Sequence, residues 1–259
     1  MIALAVAVAS AAGPRDLLSR ARQLYNSAEY DAAIETARRA VASPDVSAAA
    51  QLVLARAYLE RYRRNADEAD RTAAREALKQ VRTADLAADD RVELVLALGE
   101  SLYFDEQWGA AAEQFELALA HVDRHQTARR ERLLDWWATA LDRQAQASSD
   151  SVARSLQARI VRRMDDELRG DAAATVASYW LAAAARGSGD IERAWDAAIA
   201  GWVRVSQLGP RGTAALTELD ALVTQAIIPD RARAISPTSP DTIAAAMRSQ
   251  WDALKKAWS

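Results

Sequence analysis

The chain contains no cysteine. Disulfides, thiolate metal sites, a cysteine nucleophile and a lipidated cysteine anchor are excluded with it. Histidine is nearly as scarce, present only as His121 and His125. Acid–base or nucleophilic catalysis would therefore have to rest on carboxylates and serine, and no G-x-S-x-G elbow is present. Lysine occurs only at Lys79, Lys255 and Lys256, so nearly all positive charge is arginine. The net charge of −3 and pI near 5.6 lack the basic footprint of a nucleic-acid binder. Glycine (9) and proline (6) are few, and alternating β-branched runs are absent, which leaves no signal for a sheet.

What remains is an alanine-rich chain, 51% hydrophobic and 27% charged, with the composition of a folded helical protein. Its 259 residues suffice for one large domain or two small ones. Residues 1–12, MIALAVAVASAA, are apolar, and Ala9-Ser10-Ala11 has the small-x-small form of a signal-peptidase site. This reads as a secretory signal without its charged n-region, implying a periplasmic or exported protein. The alternative is a helix packed on the first helical pair, with a cytoplasmic location. Either way the segment is too short to span a bilayer as a helix.

Residues 98–119, LGESLYFDEQWGAAAEQFELAL, read as two amphipathic helices joined by a tight turn. Gly99, Ala111 and Ala118 fall where helices must touch, and Leu98, Leu102, Trp108 and Phe115 fill the gaps. A related pattern opens at Leu17, with Ala21, Tyr30, Ala33 and Ala40 in the corresponding places and Arg20 as a departure. It returns with Leu54, Ala55 and Tyr58, with Leu134, Trp137, Ala138 and Leu141, and with Leu181, Ala182 and Ala194. Between the second pair of helices, RRNADEADR reads as a long turn. The small mid-helix residue recurs at 21, 55, 99, 138 and 182, and only the first interval equals a period of about 34 residues.

This pattern resembles the tetratricopeptide repeat, over residues 14–205. The resemblance implies an all-α fold, a right-handed solenoid of about five antiparallel helix pairs. Residues 211–259 then form a C-terminal helical cap. Leu216, Leu219, Leu222, Val223, Ala226 and Ile227 share one helical face, Pro229 is expected to end that helix, and DRARAISPTSP reads as a linker. Ser239 and Pro240 start a last helix with an apolar stripe of Ile243, Met247, Trp251, Leu254 and Trp258. That stripe either covers the last repeat or docks on a partner.

Candidate chemistry is thin. His121 and His125 would share a helical face, but Val122 stands where a zincin requires glutamate, so no metal site is expected. Asp89-Asp90 and Asp165-Asp166 read as solvated helix-end residues, and Asp190 as a cap for the helix after GSGD. Arg169-Gly170-Asp171 falls in an interhelix turn. Of the adjacent Trp136 and Trp137, the second matches a core place; the first packs on a neighbour or is exposed for binding.

In proteins that this one resembles, the first helices of successive pairs line a groove that holds an extended peptide or a partner helix. Carried over by position, that implies partner-binding roles for Arg22, Tyr25, Asn26, Arg56, Leu59, Glu100, Tyr103, Phe104, Thr139, Arg143 and Tyr179. Leu18, Leu52, Glu60, Leu96, Asp135, Asp142, Ala183 and Arg186 accompany them. The surface is mixed in sign and lacks a concentrated Lys/Arg carboxylate clamp. The expected function is a non-enzymatic protein-interaction scaffold without a cofactor, probed by alanine at Arg22, Arg56 and Tyr103. The alternative is a membrane-anchored accessory subunit of an envelope assembly complex, with an enzyme a remoter reading.

Overall fold

The computed structural model describes residues 13–258. Residues 1–12, read from the sequence as a secretory signal, lie outside the described residues. Those residues are all-α, with no strand among them, and consecutive helices pack as pairs. They divide into two compact units, residues 13–106 and 107–258.

The first unit holds α1 (Pro14–Asn26), α2 (Tyr30–Val41), α3 (Ser47–Asn65), α4 (Glu68–Lys79) and α5 (Ala88–Phe104). Asp16 reaches back to the Gly13 N–H and Pro14 opens α1, while the Asp67 carboxylate caps α4 through the Ala69 N–H. Alanines occupy the closest approaches. Ala21, Ala33, Ala37, Ala50, Ala55 and Ala74 are fully buried, and Ile34, Leu52, Leu59 and Leu78 fill the space between them. Small residues at the contacts let helix axes come near, and the large ones supply the buried apolar area.

The turn between α3 and α4 is shorter than the sequence suggested. RRN completes α3, and Ala66 in the left-handed region (φ 53°) turns the chain directly into α4. The α1–α2 turn uses Ala28 (φ 60°). There Ala28 N–H donates to the Tyr25 carbonyl and Glu29 N–H to the Leu24 carbonyl, the double closure of a Schellman turn.

The second unit runs through α6 (Trp108–Ala120), α7 (Thr127–Gln146), α8 (Asp150–Gly170), α9 (Thr175–Gly187) and α10 (Ile191–Ser206). It continues with α11 (Thr213–Leu222), α12 (Ile228–Ile235) and α13 (Pro240–Ala257). The hairpin read at 98–119 therefore falls across the two units. Phe115, Leu133, Trp137, Leu141, Ile160 and Met164 are fully buried here. Trp136 is half-buried and stacks on Phe115, ring centres 5.7 Å apart, so it packs on a neighbouring helix. The α9–α10 turn repeats the Schellman closure with Gly189 (φ 88°), and Asp190 caps α10 through the Arg193 N–H.

Pro229 does not end its helix. Residues Val223–Ile227 form a π turn in which Ile228 N–H reaches the Val223 carbonyl, and α11 runs through it into α12. A wider turn just before proline accommodates the ring and the missing donor without breaking the rod. Residues 230–235, the first part of the expected linker, are thus helical, and Ala232 is fully buried. Ser239 sits at the start of α13 but makes no side-chain capping bond. α13 packs on α12, and Trp251 enters the interior against Trp195 (6.0 Å) and Trp202 (5.3 Å). Its indole N–H and the Lys255 ammonium both donate to Asp220, at 2.7 and 2.9 Å. Burial opposes the charged form of Asp220, but these two donors outweigh it and hold its pKa below the usual range.

Candidate functional site

Within each unit the odd-numbered helices touch one another directly, α1 with α3 and α3 with α5, and likewise α7 with α9 and α9 with α11. In a curved stack of helices the layer whose members touch is the inner side, which makes this layer the candidate site in either unit.

In the first unit much of that layer is occupied by its own ion pairs. Arg22 donates to both carboxylate oxygens of Asp90 at 2.9 Å. Arg56 donates to the Tyr25 hydroxyl at 3.1 Å, lies 4.4 Å from that ring's centre, and pairs with Glu93 at 2.8 Å. Burial alone would lower the Arg56 pKa, but the negative potential of Tyr25, Glu93 and Glu100 raises it above the ordinary value. Arg63 pairs with Glu60 at 2.7 Å. Tyr103 and Phe104 meet edge to face, and Tyr62 abuts Phe104 in the same way. Asn26 is exposed.

Several positions carried over from the resemblance are interior instead. Leu59 is 1% exposed, Glu100 4%, and Leu18, Leu52 and Leu96 are likewise buried. Direct contact between α1, α3 and α5 places Leu18, Leu52 and Leu59 in one shared core. Asp90 and Glu93 were missed as members of this layer. Asp90 does lie in the first turn of α5, as an end residue should, but its carboxylate is held by Arg22. The helical spacing of 90, 93 and 100 places all three acids on one face of α5. Asp165, read as an end residue, accepts from Arg193 of α10.

In the second unit α7, which carries Asp135, Thr139 and Asp142, packs on α9, which carries Tyr179 and Ala183, and the charges of Asp135 and Asp142 act on Tyr179. Asp135 accepts from the Trp180 indole at 2.8 Å, and Asp142 from the Gln157 and Gln146 amides at 2.7 and 2.6 Å. Tyr179 is half-buried; desolvation, together with the charges of Glu218, Asp135 and Asp142, raises its pKa. Arg143 is exposed, and Arg186 is held by Asp230 at 2.6 Å.

A cavity of about 440 Å³ lies elsewhere in this unit, lined by His125, Arg130, Glu131, Glu167 and Asp171 among others. Arg130, Glu131, Glu167 and Asp171 are engaged in holding the fold. Arg130 forks onto Glu167 and donates to the Val122 carbonyl just past α6; Glu131 accepts from the Thr175 N–H at the start of α9. Asp171 accepts from the Ala173 N–H. Burial works against the Glu167 carboxylate, but Arg130 and then Arg163 hold its pKa below the usual range. His121 is turned to the Leu117 carbonyl, and no group of three or more His, Asp or Glu side chains among the described residues is arranged to hold a metal. Compared with protein-family models and with curated proteins, the chain matches none of either.

Proposed function

We propose that this protein is a non-enzymatic interaction scaffold of the tetratricopeptide type, holding a peptide or partner helix against the layer of odd-numbered helices. One observation carries the reading: α7, α9 and α11 pack side by side and present Thr139, Tyr179 and Ala183, none of them fully buried, along one layer. A residue pattern that resembles the repeat supports it, as does the engagement of Arg130, Glu131, Glu167 and Asp171 of the cavity in structural bonds. The apolar segment at 1–12 supports export to the cell envelope.

A photo-cross-linking residue placed at Thr139 should capture a partner in the native cell. The same residue at Val152, exposed on α8, should not. Equal capture from both positions would overturn the reading. N-terminal sequencing of the mature protein separates a cleaved scaffold from an anchored accessory subunit.

A further inference from the structure

The two units treat the carboxylates of their inner layers differently. In the first, acids meet guanidinium groups: Asp90 meets Arg22, Glu93 meets Arg56 and Glu60 meets Arg63. In the second, Asp135 is satisfied by an indole N–H and Asp142 by two amides, all neutral donors. Glu218 on α11 is exposed and makes no hydrogen bond or ion pair among the described residues. A neutral donor fixes a carboxylate in place while leaving its charge uncompensated.

Tyr179 lies on α9 between α7 and α11, next to the Trp180 that Asp135 holds, and the charges of all three acids act on it. Its ring and that of Trp180 lie nearly perpendicular with centres 5.5 Å apart, and its hydroxyl has no hydrogen-bond partner among the described residues. Ala183, one turn further along α9, takes up little space beside it. Arg186 is the nearest cation on α9, and Asp230 holds it.

We propose that the α7–α9–α11 layer takes a cationic segment of a partner protein, an Arg- or Lys-bearing peptide, with the Tyr179 ring as platform for one cationic side chain and Asp135, Asp142 and Glu218 as its ion-pair partners. An aromatic face edged by carboxylates attracts a guanidinium through both the ring quadrupole and the charge. The acids are already oriented by Trp180, Gln157 and Gln146, so less ordering is needed at Asp135 and Asp142 on binding. The proposal rests on the scaffold reading and names the chemistry of the partner.

The test is a titration of the full chain with a short peptide alternating Arg and Ala, and with its Glu-for-Arg counterpart, followed by calorimetry. The basic peptide should bind, more weakly as salt is raised, and the acidic one should not. Asp142→Asn with Glu218→Gln should lower the affinity at least about tenfold, with the helical circular dichroism unchanged. Tyr179→Phe should bind as the parent does, and Tyr179→Ala should lose affinity. Equal binding of the two peptides, no binding of the basic one at millimolar concentration, or an unchanged affinity in the double variant would each overturn the proposal. Cross-linking at Thr139 in the native cell that persists in the double variant would discard the cationic partner and leave the scaffold reading standing.

Discussion

Arg130 and Glu167 form two parallel hydrogen bonds, 2.8 and 2.6 Å long, with both side chains almost wholly removed from solvent. The same guanidinium ties down the Val122 carbonyl at 3.1 Å. Removing Glu167 leaves the buried Arg130 charge without a carboxylate, so Glu167→Gln should cost about 3–5 kcal/mol. Arg130→Met should cost less, because Arg163 still pairs with Glu167. The pair Arg130→Leu with Glu167→Leu should recover most of that, with roughly 1–3 kcal/mol remaining for the carbonyl that loses its donor. Urea unfolding of the four proteins checks this, and additive single losses would contradict it.

Acid should destabilise the second unit through the same group. Glu167 and Asp220 both have folded pKa values below their ordinary ones. Their contribution is complete above the unfolded carboxylate values, near pH 4, and is lost as pH falls through the lower folded values. The urea midpoint should therefore fall from pH 5 to pH 3. Asp220→Asn should show a shallower fall over that window, because its contribution no longer titrates.

Ala28 holds the left-handed turn after α1 that Gly189 holds after α9. An alanine there bears Cβ strain that glycine lacks. Ala28→Gly is expected to stabilise the first unit by about 0.5–1 kcal/mol, while Gly189→Ala weakens the second by a similar amount. Opposite shifts of the thermal midpoint in the two variants are the outcome to look for.

Arg204 offers a contrast to Arg130. Its Nε lies 3.5 Å from the Ser178 hydroxyl, its Nη2 is buried without a partner, and burial lowers its pKa. A guanidinium without a carboxylate gains little from its position, so Arg204→Met should raise stability by about 1 kcal/mol. A loss of that size in urea unfolding would show instead that its methylene stem packs better than methionine does.

The helical order and the contact positions were legible because they are local and periodic. Ala21, Ala55, Ala138 and Ala182 all sit at fully buried helix contacts, as their spacing required. The partners of charged residues were not legible. Arg22 meets a carboxylate 68 positions away, and Arg193 one 28 positions away, distances that no helical period encodes. Leu59 and Glu100 were misplaced for a related reason. A helix face is readable from sequence, but how far its neighbour covers that face depends on packing. Pro229 misled in another way, since proline forbids a regular α-helix but not a helix with a widened turn just ahead of it.

That widened turn works as a change of phase. Leu219, Val223 and Ile227 follow one another at intervals of four, and then Ile228 and Ala232 take over the same buried side. In an uninterrupted α-helix the last two would have rotated away from the core by about 100° per extra residue. The segment Val223–Ile227 therefore acts as a one-residue spacer in the angular sense. It lets a single rod serve two neighbours in succession: α9 and α10 along its first half, α10 and α13 along its second. Deleting one residue there would turn the widened turn into a regular α-helical one, with Ile228 and Ala232 at intervals of four from Val223 and still on the buried side.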